Sequence, residues 1–205
     1  MVDDAALLEG WRNGDKDAGE QLFERYFDPI SRFFANKVSG DPDDLVQETF
    51  MACVRGRDRV REGSSFRAYM YGVACNVLRG YIRKKQAGSA SASFDSCSAH
   101  DLAPGPSTML YRREEERLLV EALRRIPMDL QMILELHYWE TMTTNDIAEV
   151  LELPVGTVRS RMRRARERLH DVIAELSTEQ AMTDSTLGGL DGWAAQVRDL
   201  ALSPS

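Results

Sequence analysis

Apolar side chains recur at steps of three and four along most of this chain, with no sustained two-residue alternation. Leu22, Phe23, Tyr26, Phe27, Ile30, Phe33 and Phe34 form one wide stripe, which predicts a helix with a buried face. Asp41-Pro42-Asp43-Asp44 then offers a helix start, because acids suit the unsatisfied N–H groups of a first turn. Behind it Leu45, Val46, Thr49, Phe50 and Cys53 give a second stripe. An Arg- and Gly-rich stretch from Arg55 to Ser65 reads as a loop. Phe66, Tyr69, Met70, Val73, Val77, Leu78, Tyr81 and Ile82 mark a third long helix, ending in Arg83-Lys84-Lys85.

Across 86–110 the periodicity lapses. Small and polar residues dominate and Pro104 and Pro106 stiffen the far end, so this segment is expected to be a flexible linker. Beyond it Leu118, Leu119, Ala122, Leu123 and Ile126 form a new stripe. Pro127 fits the first turn of the next helix, which Leu130, Ile133, Leu134 and His137 continue. After Leu176 the chain turns polar, with only a weak amphipathic pattern in Leu190, Trp193, Val197 and Leu200. The expected fold is all-α: two small helical domains, 5–85 and 111–176, joined by a flexible linker. An acidic extension, 177–205, follows.

The second domain holds a helix-turn-helix pattern. Thr143 or Thr144 can cap a helix whose first turn carries Asp146. Ile147, Ala148, Val150 and Leu151 face inward, and Glu152-Leu153-Pro154 makes a short turn. The next helix runs from about Val155 to Leu169. Its apolar positions are Val155, Val158, Met162, Ala165 and Leu169, which fall within roughly 80° of arc. The opposite face holds Gly156, Ser160, Arg163, Arg164 and Glu167. Arg159 and Arg166 line one flank, Arg161 and Arg168 the other. A helix so built suits the major groove of DNA, with Ser160, Arg163 and Arg164 toward base edges and the flanking arginines toward phosphates.

Charge changes the picture only when read locally. The chain of 205 residues has a net charge of −7, which by itself disfavours nucleic acid. Residues 1–50 carry 5 basic and 12 acidic side chains, whereas 51–85 carry 9 basic and 2 acidic. Residues 155–170 carry six arginines and one glutamate, and 171–205 one arginine and six acids. Screening in salt reaches only about 8–10 Å, so the two basic segments can hold phosphate whatever the total.

With these elements in place, the chain resembles bacterial RNA polymerase sigma factors of the extracytoplasmic-function (ECF) type over about residues 5–176. Asp43-Asp44-Leu45-Val46-Gln47-Glu48-Thr49-Phe50 is similar to that family's polymerase-docking motif. Phe66-Arg67-Ala68-Tyr69-Met70-Tyr71-Gly72-Val73-Ala74-Cys75-Asn76 is similar to its promoter-melting segment. Leu153-Pro154-Val155-Gly156-Thr157-Val158-Arg159-Ser160-Arg161 is similar to its −35 recognition helix.

The resemblance implies that Asp44, Leu45, Gln47, Glu48 and Phe50 bind core polymerase. It implies that Arg57, Arg67, Tyr71, Asn76, Arg79, Arg83, Lys84 and Lys85 serve the −10 element and its melting. Tyr71 lies off the apolar stripe and is expected to be exposed for bases. Thr157, Arg159, Ser160, Arg161, Arg163, Arg164 and Arg168 would serve the −35 element. Core polymerase, promoter DNA and an anti-sigma factor, common in the family, are the implied partners. The chain departs from the family pattern at Tyr69, commonly Trp, and at Gly72, usually Arg. Gly80 is a second glycine in that helix.

Other chemistries find little support. Cys53, Cys75 and Cys97 are odd in number and widely spaced, against a disulfide framework. Cys97 and His100 lie close together, yet zinc needs about four ligands. No metal or cofactor is expected. Neither a phosphate loop nor a nucleophile elbow appears, so the chain is not expected to be an enzyme. No apolar run approaches the ~20 residues of a membrane span. MVDDAALLEG puts acids where a leader needs bases, so a cytoplasmic location is expected. The alternative reading is an autonomous helix-turn-helix regulator that binds DNA without being a polymerase subunit.

Overall fold

The computed structural model describes residues 3–38, 41–60, 65–86, 97–102 and 114–176. Regular structure among them is helical, apart from an isolated antiparallel bridge between Ser98 and Pro127. The predicted all-α class is what the chain adopts. The 177–205 extension and most of the predicted linker lie outside the described residues.

The first module contains α1 (Asp4–Arg12), α2 (Lys16–Ala35), α3 (Asp43–Gly56), a 3-10 turn (Arg57–Arg59) and α4 (Phe66–Lys85). Asp15 starts α2, its carboxylate accepting the N–H groups of Asp17 and Ala18 at 3.0 and 3.2 Å. Such a cap contributes about 1 kcal/mol. α1 packs on α2 through Leu7, Leu8 and Trp11. A Cβ at Gly19 would lie 2.5 Å from the Trp11 ring, so only glycine lets the two helices meet there. Trp11 stands edge-on to Phe23 and Phe66, with ring centroids 5.2 and 6.4 Å apart. These contacts bind α1 to both α2 and α4.

Two expectations need correcting, one inward and one outward. Phe27, placed in the α2 stripe, is 49% exposed. The stripe is wider than the face that α1, α3 and α4 cover, and Phe27 stacks on Phe50 at its rim, planes 6° apart. Tyr71, expected to be exposed, is fully buried. It is off the stripe of its own module, but its ring meets Phe33 and its phenol faces Glu140 of the second module.

The second module contains α5 (Ala99–Leu102), α6 (Glu114–Arg125), α7 (Met128–Tyr138), α8 (Thr144–Leu151) and α9 (Val155–Leu176). α5 falls inside the predicted linker. The Asp101 carboxylate accepts from the Ser98 N–H and hydroxyl, and the Met128 N–H donates to the Cys97 carbonyl at 2.8 Å. α9 outruns its predicted end at Leu169, because Val172 and Ile173 continue the buried stripe.

The modules are not held apart by a tether. α8 packs along α4. Lys37 and Asn36, just past α2, reach Glu135 of α7, and Arg67 of α4 binds both the backbone carbonyl and the carboxylate of Glu140.

Candidate protein-docking and nucleic-acid interfaces

α3 presents one polar and one apolar band. Asp44, Gln47 and Glu48 are exposed, while Val46, Thr49 and Cys53 anchor the helix to α4 and α2. Asp41 and Asp44 crowd Asp43, and the like charge pushes its carboxyl up from the usual carboxylate range. Leu45 is buried and cannot touch a docked protein in this arrangement; it positions the helix instead. Phe50 is half-buried between Phe23 and Phe27. Beside it Phe27, Met51 and Val54 are, among the described residues, the large apolar side chains most open to water. Periodicity hides this patch, since Phe27 reads as core and Met51 as nothing special. An acidic helix flanked by exposed apolar groups can grip a basic protein surface with an apolar seam.

The predicted −10 residues divide. Asn76, Arg83, Lys84 and Lys85 are exposed along α4. Asn76 accepts from Arg79 at 2.9 Å. Lys85 donates to the Leu102 carbonyl and lies 5.7 Å from the Tyr81 ring. Arg57 sits against Trp11, its guanidinium 5.6 Å from the ring. Arg67 and Tyr71 are engaged at the seam between modules rather than displayed. Burial, then the Glu140 carboxylate, pushes the Tyr71 phenol well above its ordinary value. A cleft between α4 and α8 is lined by Tyr69, Gly72, Val73 and Asn76 on one side and Glu149, Val150 and Glu152 on the other.

The helix-turn-helix forms as its sequence pattern predicts. Thr143 and Asp146 make a reciprocal capping box, hydroxyl to N–H at 3.2 Å and carboxylate to N–H at 2.8 Å. Glu152 adopts the left-handed conformation, φ 55°, which turns the chain sharply toward Pro154. Val158, Met162, Ala165 and Leu169 of α9 are buried. The opposite face presents Arg159, Ser160, Arg163, Arg164 and Arg168 to solvent, with Thr157 half-buried at its start.

Not every arginine there is equally available. Arg161 is half-buried and paired to Asp129 of α7 at 3.2 Å, so it braces the module. Arg163 and Arg168 meet Glu167 and Glu175 at 3.7 and 3.6 Å, loose exposed pairs worth little. Arg166, outside the predicted set, donates to the Tyr138 hydroxyl at 2.9 Å. Arg159 and Arg164 enter no ion pair among the described residues. The Ser160 hydroxyl donates to the Thr157 carbonyl at 2.9 Å, which holds it at the helix surface.

Buried thiols contribute no chemistry to these surfaces. All three cysteines are reduced and buried, Cys97 included. Burial pushes Cys53 up to about 12 and Cys75 up to about 11. Among the described residues no group of three His, Cys, Asp or Glu side chains could hold a metal, and no helix is long and apolar enough to cross a membrane.

Comparison with known proteins follows this division of surfaces. Residues 22–88 match the model of Sigma-70 region 2, and residues 116–169 that of Sigma-70 region 4. The ECF RNA polymerase sigma-E factor of Haemophilus influenzae is 31% identical over 185 residues, covering 86% of this chain and 98% of that protein. The sigma-E factor of Escherichia coli is 29% identical, with 86% and 97% covered. Among solved structures, CnrH in complex with the cytosolic domain of CnrY aligns with a TM-score of 0.61 at 23% identity, covering 85% of this chain and 99% of that one. The sigma factor RpoE of Bartonella quintana, in complex with the anti-sigma factor NepR, aligns with a TM-score of 0.56 at 23% identity, covering 77% and 98%. These two likenesses speak to the fold.

Proposed function

The chain belongs to the ECF family of RNA polymerase sigma factors, and from that premise we propose how its surfaces divide the work. As a sigma factor it binds core RNA polymerase and directs initiation at specific promoters. The reading of an autonomous regulator is not favoured: matches to both region 2 and region 4 in one chain describe a polymerase subunit.

The exposed acids of α3, Asp44 and Glu48 with Gln47, take the polymerase, and the Phe27–Phe50–Met51 patch supplies the apolar part of the same contact. α4 takes the −10 element. Asn76 and, once released from the seam, Tyr71 receive unstacked bases, whose flipping costs a few kcal/mol that stacking and edge hydrogen bonds offset. Arg79, Arg83, Lys84 and Lys85 follow the phosphates. α9 takes the −35 element. Arg163 and Arg164 reach base edges while Arg159 and Arg168 meet phosphates; Arg161 stays on Asp129.

The work is binding and positioning, without a bond made or broken by the chain's own side chains. It takes place in the cytoplasm, where polymerase and chromosome are. The solved relatives were captured with CnrY and with NepR. We place an anti-sigma protein among this chain's partners as well.

The observation that carries the reading is the coexistence of an exposed acidic docking helix and an arginine-faced recognition helix in one chain. Size-exclusion chromatography of purified chain with bacterial core polymerase tests it. The wild type should co-elute, and Asp44→Ala with Glu48→Ala should weaken association by roughly tenfold, about 1.4 kcal/mol. Equal retention of both proteins would remove α3 from the contact.

A further inference from the structure

The arginines of α9 differ in what holds them. Arg161, Arg163 and Arg168 each meet a carboxylate, of Asp129, Glu167 and Glu175. Arg166 is held by a neutral group instead. Its Nε–H donates to the Tyr138 hydroxyl at 2.9 Å, and its guanidinium carbon lies 5.6 Å from the centroid of the Tyr138 ring. Arg166 is exposed and enters no ion pair among the described residues. A carboxylate that orients a guanidinium also cancels its charge. A phenol orients it and leaves the positive charge whole. With Nε spent on the phenol, the Nη end of the fork stays open, bonded to none of the described residues.

Tyr138 is itself fixed from behind. It is the last residue of α7, and the His137 ring stands edge-on to it, centroids 4.8 Å apart. His137 Nδ1 lies 3.0 Å from the Met142 carbonyl, which can only accept, so that nitrogen carries the proton. Met142 is buried, and its N–H donates to the Leu136 carbonyl at 3.0 Å. The turn after α7 thus sets the His137 ring, that ring supports the phenol, and the phenol sets Arg166. α7 therefore meets α9 at two arginines with opposite consequences. Near the start of α7 Asp129 neutralises a half-buried Arg161; at its end Tyr138 steadies an exposed Arg166 that keeps its charge.

We propose that Tyr138 is a positioning residue for duplex DNA, holding Arg166 along the flank of the recognition helix so that its open Nη end takes one backbone phosphate of the −35 element. It rests on the reading of α9 as the −35 helix. Arg159 stands on the same flank two turns earlier, about 10 Å away along the axis. The two arginines grip separate phosphates there, which places the helix without reading a base. An unheld arginine gives up its rotamer freedom on meeting a phosphate. One already set against a phenol has given it up beforehand, and the affinity gained is that saving.

The experiment uses the chain reconstituted with bacterial core polymerase and a promoter duplex that this wild-type holoenzyme selects from a randomised library. Fluorescence anisotropy over a salt series gives the affinity and its salt slope for Tyr138→Phe, Arg166→Ala and the two together. Arg166→Ala should weaken binding by about tenfold, the loss of one charge-assisted contact. The loss should be the same for duplexes of altered −35 sequence, and the salt slope should fall by about one. Tyr138→Phe keeps the ring and the arginine and should weaken binding by about threefold. In the Arg166→Ala background it should do nothing more, because no guanidinium is left to position. If Tyr138→Phe weakens binding equally with and without Arg166, the tyrosine serves only the fold and the proposal fails. It fails too if Arg166→Ala leaves affinity and slope unchanged while Arg164→Ala alters base preference, a result that keeps α9 on the −35 element and removes this pair from it. A holoenzyme indifferent to both Arg164→Ala and Arg166→Ala would instead overturn the −35 reading of α9, and the proposal with it.

Discussion

Arg161 and Arg164 stand three residues apart on one helix, yet the first is tied to Asp129 and the second enters no ion pair among the described residues. Their substitution should therefore differ in kind. Arg164→Ala should relax base preference at the upstream element, with about 1–3 kcal/mol of discrimination lost, measured by competition between operator variants. Arg161→Ala should lower the melting temperature of the chain and leave base preference in place. The cysteines give a pH signature. Their folded values lie above the ordinary thiol value of 9, because burial disfavours the thiolate. The stabilisation this represents is complete below pH 9 and is lost as pH rises through about 11 and 12. Denaturant melts should show stability falling above pH 9, and alkylation at neutral pH should reach the thiols only after unfolding.

Among the elements, α8 and α9 are the most plainly written. Thr143 and Asp146 are spaced for the capping box, and the three-four spacing of Val158, Met162, Ala165 and Leu169 matches the buried face. Thr143→Ala should cost about 0.5–2 kcal/mol in a denaturant melt. Met162→Ala should cost about 2–5 kcal/mol by leaving a cavity under the recognition helix. α1 is hard to read because Leu7, Leu8 and Trp11 are too few to show a period; what fixes it is Gly19, whose missing side chain makes room for the indole. α5 is hidden in a stretch whose composition says linker; the Cys97 carbonyl, which takes the Met128 N–H, and the Leu102 carbonyl, which takes the Lys85 ammonium, tie it to the rest of the fold. Nothing in local periodicity carries such tertiary bonds.

For the whole molecule, the seam is the part that the sequence conceals. Tyr71 reads as exposed because it lies off the apolar stripe of its own helix; Phe33 meets its ring and Glu140 of the second module faces its phenol. Lys37 and Glu135, 98 positions apart, carry no pattern in the sequence that marks them as partners, yet they form a buried pair. By contrast the charge map is visible in the residues themselves: an acidic first fifty residues, then two basic segments, within a chain of net −7. Binding to duplex promoter DNA in the polymerase complex should weaken steeply with salt, since released counterions carry the affinity.

The central claim is that this chain gives core polymerase its choice of promoter. Run-off transcription from a randomised promoter library, with bacterial core polymerase and with or without the purified chain, tests it most directly. The account predicts transcripts only when the chain is present, enriched for two short boxes at fixed spacing, and lost with Asp44→Ala and Glu48→Ala together. Transcripts without any common boxes, or the same transcripts from core polymerase alone, would contradict it.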